Sequence, residues 1–136
     1  MTTTINAVSG TGLTQTVDGS GIVKLQSNGV ATNALAWVNY NASGSSIRSA
    51  YNVSSITKGS AGYYTLNFTN SMADTNYATI VNAGSPNSSS YETSGVYTPS
   101  NTSYGTKTVN AVQINCYTPA VSNYDPFEVN VVVFGN

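Results

Sequence analysis

Tyr63-Tyr64-Thr65-Leu66-Asn67-Phe68 sets Tyr64, Leu66 and Phe68 at every second position, with Tyr63, Thr65 and Asn67 between them. Successive side chains of an extended chain point to opposite faces, so this period of two predicts a strand with one buried and one wetted face. Phe127-Glu128-Val129-Asn130-Val131 repeats the pattern, with Phe127, Val129 and Val131 on one face. The run continues through Val132-Val133-Phe134 and becomes apolar on both faces, as a central or interface strand would be. Further strands are predicted over 22–26, 35–41, 47–54, 77–83 and 107–117, each bounded by turn-forming Gly, Asn, Ser, Asp or Pro. Ser, Thr and Asn make up 54 of the 136 residues, and their side chains compete for the backbone bonds a helix needs. The expected fold is therefore all-β: an antiparallel β-sandwich, jelly-roll-like or immunoglobulin-like.

One domain fits in 136 residues. Residues 1–33 hold no aromatic side chain and contain a hairpin-like stretch, Leu13 to Leu25, whose turn would be Asp18 to Gly21. Such an arm buries too little to stand alone, so Leu13, Val17, Ile22 and Leu25 are expected to serve assembly, against a neighbouring subunit or a host surface. Residues 34–136 form the sandwich, with Trp37 expected as the largest member of its core. Inside it, 84–106 reads as a long loop with one short strand near Val96, and loops of that length are often functional.

Composition excludes most chemistry. There is no histidine, so no Ser–His or Cys–His nucleophile and no imidazole metal site can form. Charged residues are 7% of the chain, and Lys24, Arg48, Lys58 and Lys107 are scattered, which leaves no footprint for nucleic acid. Of the carboxylates Asp18, Asp74, Glu92, Asp125 and Glu128, the three aspartates are explained by turn chemistry, so a two-carboxylate glycosidase is not expected. Cys116 is the single cysteine, on the face of Val112 and Ile114, and is expected as a small buried hydrophobe. No cofactor or metal is expected. The polar start Met1-Thr2-Thr3-Thr4 shows no leader, and no apolar run approaches the ~20 residues that span a bilayer. The expectation is a soluble product of the cytoplasm without membrane insertion.

Two groups remain as candidate contact residues. Tyr91, Tyr97, Tyr104 and Tyr124 fall in or near stretches rich in Ser, Asn, Gly and Pro, a mixture that gives rigid aromatic area with adaptable hydrogen bonding. Arg48, the sole arginine, is a candidate for an ion pair with Glu92, Asp125 or Glu128, within the subunit or across an interface.

Several blocks follow one another in a suggestive order. They are Ala36-Trp37-Val38-Asn39-Tyr40, Ile47-Arg48-Ser49-Ala50-Tyr51-Asn52-Val53-Ser54-Ser55-Ile56-Thr57, Gly62 to Phe68, Met72-Ala73-Asp74-Thr75-Asn76-Tyr77 and Val129 to Phe134. This series resembles the C-terminal β-domain of bacteriophage tail-fibre and other virion surface proteins, particularly of phages with aquatic hosts. The likeness covers residues 35–81 and 127–136. It implies a trimeric, non-catalytic virion component, made in the host cytoplasm, whose partners are its own copies and the major capsid or another virion protein. With about 33 residues ahead of the domain, two possibilities stand: a piece of a longer fibre, or a small capsid decoration (cement) or head-fibre protein. The alternative function is a tail-fibre tip that binds a host surface glycan or receptor through the tyrosine-rich loops.

Overall fold

The computed structural model describes residues 25–27, 30–84, 95–97, 107–117 and 123–135. Among these residues there is no helix, and the fold is an antiparallel β-sandwich. β1 (Gln26–Ser27) and β2 (Val30–Ala31) form a two-residue ladder ahead of it. Then come β3 (Ala36–Asn41), β4 (Ser46–Tyr51), β5 (Val53–Lys58), β6 (Tyr63–Phe68), β7 (Ala78–Gly84), β8 (Gly95–Tyr97), β9 (Ala111–Tyr117) and β10 (Glu128–Phe134). The first sheet runs β4-β3-β10-β7 and the second β5-β6-β9-β8. β8 lies where the sequence places a short strand near Val96. The hairpin expected over 13–25 lies outside the described residues, apart from Leu25, as does most of the 84–106 loop.

Neighbouring strands interlock the layers. The chain crosses from the second sheet to the first between β6 and β7 and again, in the same direction, between β9 and β10, and β6 pairs with β9 while β7 pairs with β10. Strands B, C, E and F of an immunoglobulin-type sandwich make the same crossing. Between the layers lie Tyr64, Leu66 and Phe68 from β6, Val112, Ile114 and Cys116 from β9, Val38 and Tyr40 from β3, and Val129, Val131 and Val133 from β10. Edge-to-face ring pairs span the gap, Tyr40–Tyr64 at 5.6 Å and Phe68–Tyr77 at 5.8 Å between centroids. Such pairs add about 0.5–1.5 kcal/mol each beyond their burial.

Four sequence expectations are corrected. The 47–54 stretch is two strands in different sheets, because Asn52 takes a left-handed backbone (φ 53°) and turns the chain through a corner. Asparagine tolerates that region because its short amide can bond locally. Its buried side chain donates to the Leu35 and Asn70 carbonyls (3.1 and 3.2 Å) and accepts from the Asn70 N–H (2.7 Å).

Trp37 is not a core anchor. Ala36, Val38 and Tyr40 set the inward phase of β3, so Trp37 faces outward and is 37% exposed. Phe127 is likewise outside, 51% exposed, because β10 begins only at Glu128. The 107–117 strand begins at Ala111, since the Thr108 hydroxyl accepts the N–H groups of Asn110 and Ala111 and closes a turn there.

Asn52→Ala should destabilise the fold by roughly 2–4 kcal/mol, through orphaned backbone groups and a strained φ. Asn52→Gly, which accepts the φ but not the bonds, should lose less. Urea denaturation of both measures this, and a loss below about 1 kcal/mol for the alanine variant would show that the amide does not hold the corner.

Candidate functional site

The outer face of the first sheet carries an apolar row set by strand register. Trp37 on β3 stands opposite Tyr51 on β4 and Val132 on β10, and Val132 stands opposite Ile80 on β7. Directly opposed side chains lie about 4.5–5.5 Å apart at Cβ, so the row is continuous across four strands, roughly 14 Å. Ile80 is 60% exposed, and Tyr51 and Val132 are half-buried. Phe134, two residues beyond Val132 on the same face, is also half-buried. Residues of this size are normally turned inward, and a contiguous outward set marks an interaction surface.

A polar row runs beside it: Ser49, Asn39, Asn130 and Asn82, again in register. The Asn39 amide donates to Asn130 Oδ1 (2.6 Å), and the Asn130 amide donates to Glu128 Oε1 (2.7 Å). Arg48 joins them because the β3–β4 register slips between Asn39 and Tyr40. A bulge leaves one residue unpaired and re-aims its side chain. Arg48 Nη1 reaches Asn39 Oδ1 and Glu128 Oε2, both at 3.3 Å, and Nη2 donates to the Phe127 carbonyl (3.0 Å). Its guanidinium also lies 4.7 Å from the centre of the Phe127 ring. A half-exposed pair of this kind stabilises by at most about 1 kcal/mol, so its effect is to neutralise and fix the face.

The outer face of the second sheet is different in kind. Asn67 donates to the Ser55 and Thr57 hydroxyls (3.0 and 3.1 Å), and Thr65 and Gln113 continue a ladder without charge.

Asp125, read from sequence as a turn residue, is instead a hub. It accepts from Lys58 Nζ at 2.5 Å, from the Tyr64 hydroxyl and from the Gly62 N–H at 3.1 Å. Burial opposes its charge, but the bonds from Lys58, Tyr64 and Gly62 prevail and hold the carboxyl below its usual range. Burial first, then the bond to Asp125, pushes the Tyr64 hydroxyl well above its ordinary value. Burial and the Asp125 charge push the Cys116 thiol up to about 12, so it stays protonated and unreactive at neutral pH. Gly62 (φ 77°) must be glycine, since a Cβ there would collide with the Cys116 carbonyl.

Of the residues singled out in the sequence, Arg48 is paired with Glu128 of its own chain. Tyr124 leans on the core and is half-buried, while Leu25 is 52% exposed. Leu13, Val17, Ile22, Tyr91 and Tyr104 lie outside the described residues, and Tyr97 is described only as backbone of β8. Sequence reading missed the Tyr51–Trp37–Val132–Ile80 row, although the two-faced apolar run ending in Phe134 was its signal. Among the described residues, no group of three or more His, Cys, Asp or Glu side chains could hold a metal ion. Comparison of the chain with protein-family models, with curated proteins and with solved structures gives no match in any of the three.

Acid should reveal the hub. Asp125 has a lower pKa folded than its unfolded value of about 3.9, so its contribution is present above that pH and is lost as pH falls through the folded pKa. Urea midpoints at neutral and strongly acidic pH should differ less for Asp125→Asn than for the wild type. An equal acid loss in both would remove Asp125 from the account. Cys116 should resist thiol reagents until the chain is unfolded.

Proposed function

We propose that this chain is a non-enzymatic structural protein of a bacteriophage virion, displayed on the particle surface as a homotrimer, in the role of a capsid decoration or head-fibre protein. The observation that carries the reading is the exposed apolar row beside a neutral amide row, a face built for docking rather than for bond-breaking. The chain's chemistry agrees: no histidine, few charges, and a thiol held protonated. Support also comes from the resemblance of residues 35–81 and 127–136 to the β-domains of virion surface proteins. The capsid or another virion protein would be the partner, and burial of apolar area, at roughly 25 cal/mol per Å², would supply the attachment.

A second reading is a tail-fibre tip that binds a host glycan or receptor. It is favoured by the tyrosines at 91, 97 and 104 among Ser, Asn and Gly.

Labelled antibody against the chain, applied to intact particles of a phage that encodes it, tests both readings by electron microscopy. Label over heads is the expected result. Label confined to tail ends would give the protein to the second reading, and particles without label would discard both.

A further inference from the structure

We propose that the outer face of the β4-β3-β10-β7 sheet is where copies of this chain meet, its occupant being the same face of a second copy. A face that meets its own copy closes as a two-fold pair. The inference therefore rests only on self-association in the reading above, not on its trimeric count or its virion part, and a dimer in solution would support it against the trimer.

Size is the first argument. Four strands of six or seven residues, at ~3.3 Å per residue and ~4.8 Å between strands, give a footprint of roughly 20 by 20 Å. Specific interfaces bury about 600–1,000 Å² of accessible surface per partner, and a face covered by side chains exposes more than its flat footprint. The flat footprint is about 400 Å², so the whole corrugated face is needed to approach the lower end of that range, and the apolar row alone falls short of it. Trp37 and Tyr51 stand side by side within it, and interface centres are enriched in such residues.

Charge is the second. Among the described residues, the charged groups on this face are Arg48 and Glu128, already joined at 3.3 Å. Two copies can stack there without bringing an uncompensated charge against its like. The chain's net charge of −1 leaves little repulsion between copies at longer range. A polyanion or an acidic membrane would find only one arginine, and that one is occupied.

The third is the amide row. Every asparagine carries both a donor and an acceptor, so a row of them can pair with a copy of itself. Asn39 and Asn130 are tied to each other, while Asn82, at the β7 end of the row, is exposed. The Asn82 side chain makes no hydrogen bond with another described residue and is placed to bond outward. The apolar row would bury against its counterpart and the amides would fix the register.

The test is the mass of the full chain in solution, by sedimentation equilibrium over a range of concentrations. Trp37→Ser with Ile80→Ser removes two of the four members of the row, and Asn82→Lys sets like charges against each other on a side chain that does not touch the core. Thr57→Asp, on the outer face of the other sheet, is the control. The wild type and Thr57→Asp should be oligomers, while both face variants should dissociate at least about tenfold more readily. Unchanged circular dichroism and an unreactive Cys116 show that each variant is folded. Folded face variants that assemble like the wild type would overturn the proposal and leave the homo-oligomer standing. A wild type that is monomeric at high micromolar concentration would sink both, and the virion assignment would still rest on the labelling experiment.

Discussion

A single buried amide decides which strands belong to which layer. Asn52 sits where the chain leaves β4 for β5, in a backbone conformation most side chains avoid, and uses its oxygen and both amide hydrogens on neighbouring backbone. Leu35 and Asn70 are thereby fastened to the corner, one just before β3 and the other just after β6. Without the turn at Asn52, β4 and β5 would run on as one ribbon and the second sheet would have no first edge. The corner is local, but the register of everything after it depends on it.

The two outer faces divide the protein's surface by chemistry. Ser55, Thr57, Thr65, Asn67 and Gln113 clothe part of the second sheet in neutral hydroxyls and amides, with Asn67 fixing two of the hydroxyls, while Tyr63 and Tyr117 stand half-buried on the same face. Its polar part suits water. Trp37, Tyr51, Val132 and Ile80 give the first sheet a strip that water hydrates poorly, with the Arg48–Glu128 pair at its border. The asymmetry is not required by the sandwich, which needs only its inner faces apolar. It costs solubility and is therefore best explained by use.

Much of the architecture could be read in the amino acids. Tyr64, Leu66 and Phe68, and likewise Val129, Val131 and Val133, alternate cleanly enough that both strand and buried face follow from phase alone. The corner at Asn52 was not legible, since apolar residues continue on both sides of it and its left-handed φ is enforced by Leu35 and Asn70, neighbours in space more than in sequence. Trp37 was misplaced because size was weighed above phase: Val38 and Tyr40 already claimed the inner positions of β3. Arg48 could be assigned an acidic partner but not a particular one, for the bulge that delivers it to Glu128 depends on β3 and β4 meeting out of step. Asp125 looked like a turn residue because proline follows it, and its contacts with Lys58 and Tyr64 come from residues more than sixty positions away.

The strands that open and close the sandwich, β3 and β10, lie side by side in the middle of the first sheet, with Ala36 opposite Val133 and the Leu35 N–H bonded to the Val133 carbonyl at 2.8 Å. Chain entry and exit therefore share one end of the domain. Tension drawn between those two points would peel the ladder rung by rung rather than shear all rungs together, since antiparallel bonds lie perpendicular to the strands. A load passed through one terminus into the broad face of the sheet would avoid that zipper altogether. Mechanically, such a body is a fitting to be clamped by its flank, not a link to be pulled in line.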